Sequence, residues 1–272
     1  MKGAYLRCQS CNHEFNLYEF YQSLYEGIPL AKQLVDVSLK QVSSAFRLDG
    51  GETDLREQAL SRLQSLGAQG IVERMTQDLL IFGNSFWRKQ GSGSTPSLTQ
   101  VNLQDYEMAI EWRQSRGQAY SEQITQLTQR RNGSTNLDVN DLIHLSYNRI
   151  SSPLGHSVYG LWGHMWYMVK TAPQALLNSS LLGGSKDVEA IKDYARRQVI
   201  VGSGVPFFLV TGENVSDFQR RFLMQNFNFD SRMRREAVGR TIQYEIIPLL
   251  AGQEWDYDRF PKVVWEKDEE AN

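Results

Sequence analysis

Asp78-Leu79-Leu80-Ile81-Phe82-Gly83-Asn84-Ser85-Phe86-Trp87-Arg88 changes period halfway along. Upstream of it, Ile71, Met75 and Leu79 recur at i, i+4 and i+8, which lays one apolar stripe along a helix from Ile71 to about Phe82. Gly83-Asn84 breaks that period, and Ser85 to Arg88 reads as an aromatic, strand-like piece. A helix that hands over to a strand at a glycine sets the fold class: α+β, mainly helical, with a β-rich insertion.

Towards the N-terminus, a helix runs from about Asp54 to Leu66 on a Leu55, Ala59, Leu63, Leu66 stripe. Residues 28–47 form another, with Leu30, Leu34 and Val37 on one face and Leu39, Val42 and Phe46 on the next. Pro29 suits its first turn, and Asp49-Gly50-Gly51 stops it. Residues 1–27 are polar and aromatic without a clean period and are expected to be an arm. Towards the C-terminus, Gly91 to Pro96 is a loop. Short strands are expected around Leu98–Leu103, Met108–Trp112, Gln118–Gln129 and Leu142–Tyr147. Helices return after Pro153, at about 157–172 and 186–201, joined by a turn at about 174–185. Residues 207–229 are rich in Asn, Gln and Phe and read as an irregular loop. Asp230 is an N-cap candidate for a long helix to about Leu250, roughly 30 Å at ~1.5 Å per residue. Gly252 ends it, Phe260–Trp265 reads as a strand, and the acidic tail follows.

The formal charge of −2 and pI of about 6.1 lack the basic excess of a protein that grips phosphates with its whole surface. A protein that only lets DNA slide past would show that balance, and so would one that never meets DNA. No stretch approaches 18 apolar residues, so no membrane span is expected. The N-terminus lacks an apolar signal core, so assembly in a cytoplasm is expected.

Chemistry-bearing motifs are sparse. Cys8-x-x-Cys11-x-His13 is half of a zinc knuckle, and a tetrahedral site needs a further pair or a neighbour's ligand. The expected state is no cofactor, with two free thiols on a polar arm; zinc is the alternative. His144 sits in a half-buried strand with no nucleophile or base motif beside it and is expected to be a packed, hydrogen-bonded histidine. Trp162 and Trp166, at i and i+4, belong to the core or to a subunit interface. Arg232, Arg234, Arg235 and Arg240 form a solvated face or make intersubunit ion pairs. No catalytic constellation emerges, so no enzymatic activity is expected.

Five strings occur in an order that resembles tailed-bacteriophage portal proteins, the head–tail connectors. They are Asp78 to Trp87; the strand Asp141-Leu142-Ile143-His144-Leu145 with its following Ser151 to Gly160; Val205-Pro206; the long helix ending Glu245-Ile246-Ile247-Pro248-Leu249-Leu250; and Phe260 to Trp265. The resemblance spans about residues 28–265 and implies a wing domain at 28–153. Stem helices would lie within 154–206 with a short clip-like turn at 174–185. A tunnel loop is implied at 207–229, a long helix at 230–252, and a return strand and tail at 253–272. Two departures stand out: no crown follows Trp265, and the clip is far shorter than usual.

The same resemblance implies function. Copies would close into a homo-oligomeric ring, a dodecamer, at the capsid vertex of the virion. Double-stranded DNA would pass through it during packaging and ejection. The terminase large subunit, a head–tail adaptor and the major capsid or scaffold protein would dock on it. Asn214, Gln219, Arg220, Arg221, Gln225, Asn226 and Asn228 would face the channel, neutral amides with isolated arginines that touch DNA without trapping it. Trp162, Trp166, Arg234 and Arg235 would meet the neighbouring subunit. The reading from a different class is a small zinc-knuckle protein that binds nucleic acid or regulates.

Overall fold

A computed structural model describes residues 5–7, 14–90, 97–102, 106–114, 120–129, 136–146, 193, 196–197, 200, 203–252, 256 and 258–266. The short antiparallel pair β1 (Tyr5–Arg7) and β2 (Glu14–Asn16) leads into α1 (Leu17–Gly27) and α2 (Pro29–Val42). The helix α1 lies inside the expected arm. Tyr18, Tyr21 and Leu24 recur every three residues and are buried, and the Tyr18 ring meets Phe82 edge-on at 5.6 Å. Aromatic residues in place of aliphatic ones hid that period.

The second helix, α2, starts at Pro29, whose missing N–H costs nothing in a first turn. It ends at Val42 rather than continuing to residue 47. Phe46–Asp49 forms β3, paired antiparallel with β10 (Lys262–Trp265). Phe46, expected on a helical face, is therefore a strand residue. Its partner lies more than 200 residues away, beyond the reach of a local pattern. Gly51 follows with φ of 69°, and a Cβ there would lie 2.7 Å from the backbone of Phe260 and Pro261. Only glycine permits that approach. The Glu52 N–H donates to the Arg259 carbonyl at 2.8 Å and the two side chains pair at 2.9 Å, which ties the return segment to this turn.

The helices α3 (Thr53–Ser65) and α4 (Ala68–Phe82) follow. Leu55, Ala59 and Leu63 are buried on α3, and Val72, Met75 and Leu79 on α4, the stripes the periodicity gives. Gly83, at φ 72°, caps α4 by donating its N–H to the Leu79 carbonyl at 3.0 Å. The chain passes at once into β4 (Asn84–Gln90), so the change of period at Gly83 is a structural boundary.

β4 is central in the three-stranded antiparallel sheet β5-β4-β9, with β5 spanning Ser97–Gln100 and β9 Leu142–Ser146. A second antiparallel sheet joins β6 (Tyr106–Gln114), β7 (Tyr120–Gln129) and β8 (Asn136–Leu137), with a register shift between Ala109 and Ile110. The expected strands 98–103, 108–112, 118–129 and 142–147 correspond to β5, β6, β7 and β9. The expected stem helices and clip-like turn fall almost wholly outside the described residues; Asp193, Arg196, Arg197 and Ile200 are helical.

The chain then forms α5 (Phe208–Thr211) and one long rod: α6 (Asp217–Thr241), a π-helical turn (Ile242–Ile246) and α7 (Ile247–Ala251). At ~1.5 Å per residue the rod is about 50 Å long. Pro248 accounts for the π turn. It has no N–H to give the carbonyl four residues back, and its ring would clash there. The helix widens instead, and the Ile247 N–H reaches back five residues to the Ile242 carbonyl.

Two cores result. Tyr18, Leu34, Phe82, Phe86, Leu142 and Phe227 belong to one; Leu63, Met75, Trp87, Ile143, Val238 and Trp265 belong to the other. Phe86 and Trp87 are consecutive on β4 and go to opposite cores, as the two faces of a strand require. The long helix contributes Phe227 to the first and Val238 to the second, and so joins them. The described residues thus build an α+β fold.

Candidate functional site: the exposed face of the long helix

The long helix begins at Asp217, not at Asp230. Ser216 is its N-cap: the hydroxyl accepts from the Gln219 N–H at 3.3 Å, and the Gln219 side chain accepts from the Ser216 N–H, a complete capping box. Asp217 adds a carboxylate to the positive end of the helix dipole. Residues 207–229, expected as a loop, are therefore mostly helical: α5, a short turn, and the first half of α6. Replacing Ser216 with alanine should cost about 1 kcal/mol and fray the first turn, read as a small loss of helical circular dichroism and of amide protection at 217–220.

The buried residues Phe227, Ser231, Arg235 and Val238 mark the face that α6 turns towards α2, α4 and β9. At roughly 100° per residue, Phe218, Phe222, Phe229 and Met233 fall within an arc of about 60° on the opposite side. They are 79%, 55%, 64% and 42% exposed. Large apolar side chains aligned on a solvent-facing stripe are the informative exception to ordinary burial.

Of the residues expected to line a channel, Arg221, Gln225 and Asn226 flank this stripe, whereas Arg220 and Asn228 turn towards the body of the chain. Asn214 is exposed in the turn before the cap. Gln219 is exposed but engaged in the capping box. The Arg220 guanidinium lies over the Phe208 ring, 5.4 Å from its centroid. Arg221, Gln225 and Asn226 are exposed, and Asn228 accepts from the Gln41 side chain at 2.9 Å. Sequence reasoning missed the three phenylalanines among them, although steps of four and seven residues are a helix–helix spacing.

Arg235, expected at a subunit contact, is 3% exposed and donates to the Gln41 carbonyl at 2.8 Å. It is a core residue of its own chain, because it sits one turn from Ser231 on the buried face. Arg234 is half-buried. Trp162, Trp166, Cys8, Cys11 and His13 lie outside the described residues. Among the described residues no group of His, Cys, Asp or Glu could hold a metal, and no helix is long and apolar enough to cross a membrane.

A buried polar network lies at the α4–β4 junction. The Ser85 hydroxyl donates to Asp78 at 2.7 Å, the Trp87 indole N–H donates to Ser85 at 2.9 Å, and the Gln100 amide donates to both Asp78 oxygens at 3.0 and 2.9 Å. Burial pushes the Asp78 carboxyl up to about 6, against the lowering effect of Ser85, Gln100 and Arg74. On the other face of β4, His144 Nε2 bonds to Asn84 Oδ1 at 2.9 Å and its ring stacks on Phe86 at 4.2 Å. His144 thus points away from Ser85, which is itself 0% exposed. A nucleophile arrangement needs these two to meet with an open side for substrate, and here they do not.

No protein-family model and no curated protein matches this chain. Solved structures do match, two of them from gene transfer agent particles. One contains a chain of the "Virion of native gene transfer agent (GTA) particle", 8% identical, with a TM-score of 0.57; the match covers 93% of this chain and 84% of that one. The other is the "Neck of empty GTA particle computed with C6 symmetry", 10% identical with a TM-score of 0.58, over 92% and 85%. At such identities the likeness is one of fold.

Proposed function

We propose that this chain is a structural subunit of a phage-like particle, placed at the head–neck junction, where identical copies close into a ring around a DNA channel as a portal protein does. The observation that carries this reading is the shared fold over nine-tenths of the chain with chains from a gene transfer agent virion and its neck. The long helix supports it: a rod of about 50 Å bearing neutral amides and isolated arginines suits a wall that DNA must slide along.

In this reading the ring, a dodecamer, sits at the capsid vertex of the virion. It passes double-stranded DNA and offers docking surfaces to a terminase large subunit, a head–tail adaptor and the capsid or scaffold protein. It carries out no covalent chemistry and needs no cofactor. Head-to-tail contact between two different patches closes such a ring.

Multi-angle light scattering and negative-stain imaging of the purified chain test the reading. Closed rings with a central hole wide enough for a duplex are expected, and particles should contain one such ring each. A chain that stays monomeric up to its solubility limit, and is absent from particles assembled in its presence, overturns it.

A further inference from the structure

Resting on that ring reading, we propose that the phenylalanine stripe of α6 is one half of the subunit contact, and that its other half is the groove between α3 and α4 of the neighbouring copy. With ~200 Å² per aromatic side chain, the exposed parts of Phe218, Phe222, Phe229 and Met233 offer roughly 450 Å² of apolar surface. That is about half of what one partner contributes to a standard interface, and the remainder is ordinary polar rim. The stripe faces away from the core that α6 packs on.

The groove offers an open, partly apolar space for one of these side chains. It encloses about 380 Å³ and is lined by Phe46, Leu60, Leu63 and Ala68, with Gly67 and Gly70 leaving its floor open. A Cβ added at either glycine would meet nothing within 4 Å. Leu60 is 42% exposed there, another large apolar side chain left uncovered. An aromatic side chain from outside fits such a space.

The placement of the two faces decides the symmetry. Leu63 of the groove belongs to the second core, whereas the stripe backs onto Phe227 of the first, so groove and stripe are separate patches of the chain. Two unlike, separate patches join head to tail, the geometry that closes a ring, rather than pairing about a two-fold axis. Arg221 and Arg232, the latter beside its own Glu236, lie next to the stripe, and Glu57 and Glu73 stand about one helical turn from Leu60 and Gln69 of the groove, all of them exposed, which supplies rim charges of opposite sign.

The test uses the full chain. Phe222→Asp with Phe229→Asp, and separately Gly70→Trp to fill the groove, should each weaken self-association more than about tenfold. Their unfolding midpoints should stay at the wild-type value, because both sites are open. In a Cys8→Ser, Cys11→Ser background, Phe222→Cys with Leu60→Cys should form disulfide-linked ladders only between copies. Rings that persist in the aspartate or tryptophan variants, or that form without the 222–60 cross-link, overturn this contact and leave the ring reading standing. A wild-type chain that forms no ring and is absent from particles assembled in its presence overturns the ring reading itself.

Discussion

Trp265→Ala should lower the free energy of unfolding by about 3–5 kcal/mol, the range for deleting a large buried aromatic side chain. Trp265 is 4% exposed at the end of β10, and its ring lies 5.5 Å from that of Phe46 on the paired strand. It also sets how closely α6 approaches. A Cβ on Gly239 would sit 3.0 Å from the indole nitrogen, so the helix packs against the ring with its bare backbone. The indole thus fastens three segments distant in sequence: β3, α6 and the C-terminal return. The pair makes a sharper test than either site alone. Glycine inside a helix costs about 1 kcal/mol relative to alanine. In the wild-type chain that gain is withheld from Gly239→Ala by contact with the indole. Once Trp265→Ala has removed the ring, Gly239→Ala should become stabilising by about 1 kcal/mol. Urea unfolding of the four chains measures the cycle. A coupling near zero would mean that the ring and the glycine do not restrain each other.

The elements legible in the sequence are those whose signal is local. The stripes of α3 and α4 repeat aliphatic residues at helical spacing, and Gly83 stops α4 through its own backbone freedom. The strand around Leu142 follows from period two. What stayed hidden depended on distant partners or on unusual residue types. β3 exists because Lys262–Trp265 pairs with it. Arg235 is buried because the Gln41 carbonyl, 194 positions earlier in the chain, accepts from it. α1 repeats tyrosine instead of leucine.

The start of α6 is different, because its signal was present and local. Ser216-x-x-Gln219 is a capping box, a stronger indication than a lone Asp230 inside an amide-rich stretch. The amides and arginines of residues 214–228 were legible as an exposed group. Their true arrangement, around an apolar stripe on a helix, required the helix to be recognised first.

Asp78→Asn should abolish a fall in stability that the wild-type chain shows between about pH 4 and pH 6. The Asp78 carboxyl is raised from 3.8 to about 6, first by burial, while Ser85, Gln100 and, by charge, Arg74 pull it down without cancelling the effect. The folded chain therefore binds this proton more tightly than the unfolded chain does. Stability from this group is fully present below about pH 4. It declines as pH rises towards 6, since the native state holds more protons than the unfolded one across that window. A displacement of about two units corresponds to roughly 3 kcal/mol carried as a cost by the ionised form at neutral pH. Asparagine with its oxygen at the Oδ2 position still accepts from both Ser85 and Gln100, so those bonds survive and the charge does not. The difference in unfolding free energy, Asp78→Asn minus wild type, should therefore grow in favour of the variant as pH rises from about 4 to about 6 and stay level above that. Alanine at the same position separates charge from hydrogen bonding. It leaves Ser85, 0% exposed, and Gln100 without their acceptor. Asp78→Ala should thus be destabilised at every pH by about 1–3 kcal/mol relative to Asp78→Asn. Chemical unfolding across that pH range measures all three chains. A wild-type minus Asp78→Asn difference that stays flat with pH would mean that the carboxyl at the α4–β4 junction is solvated and ordinary.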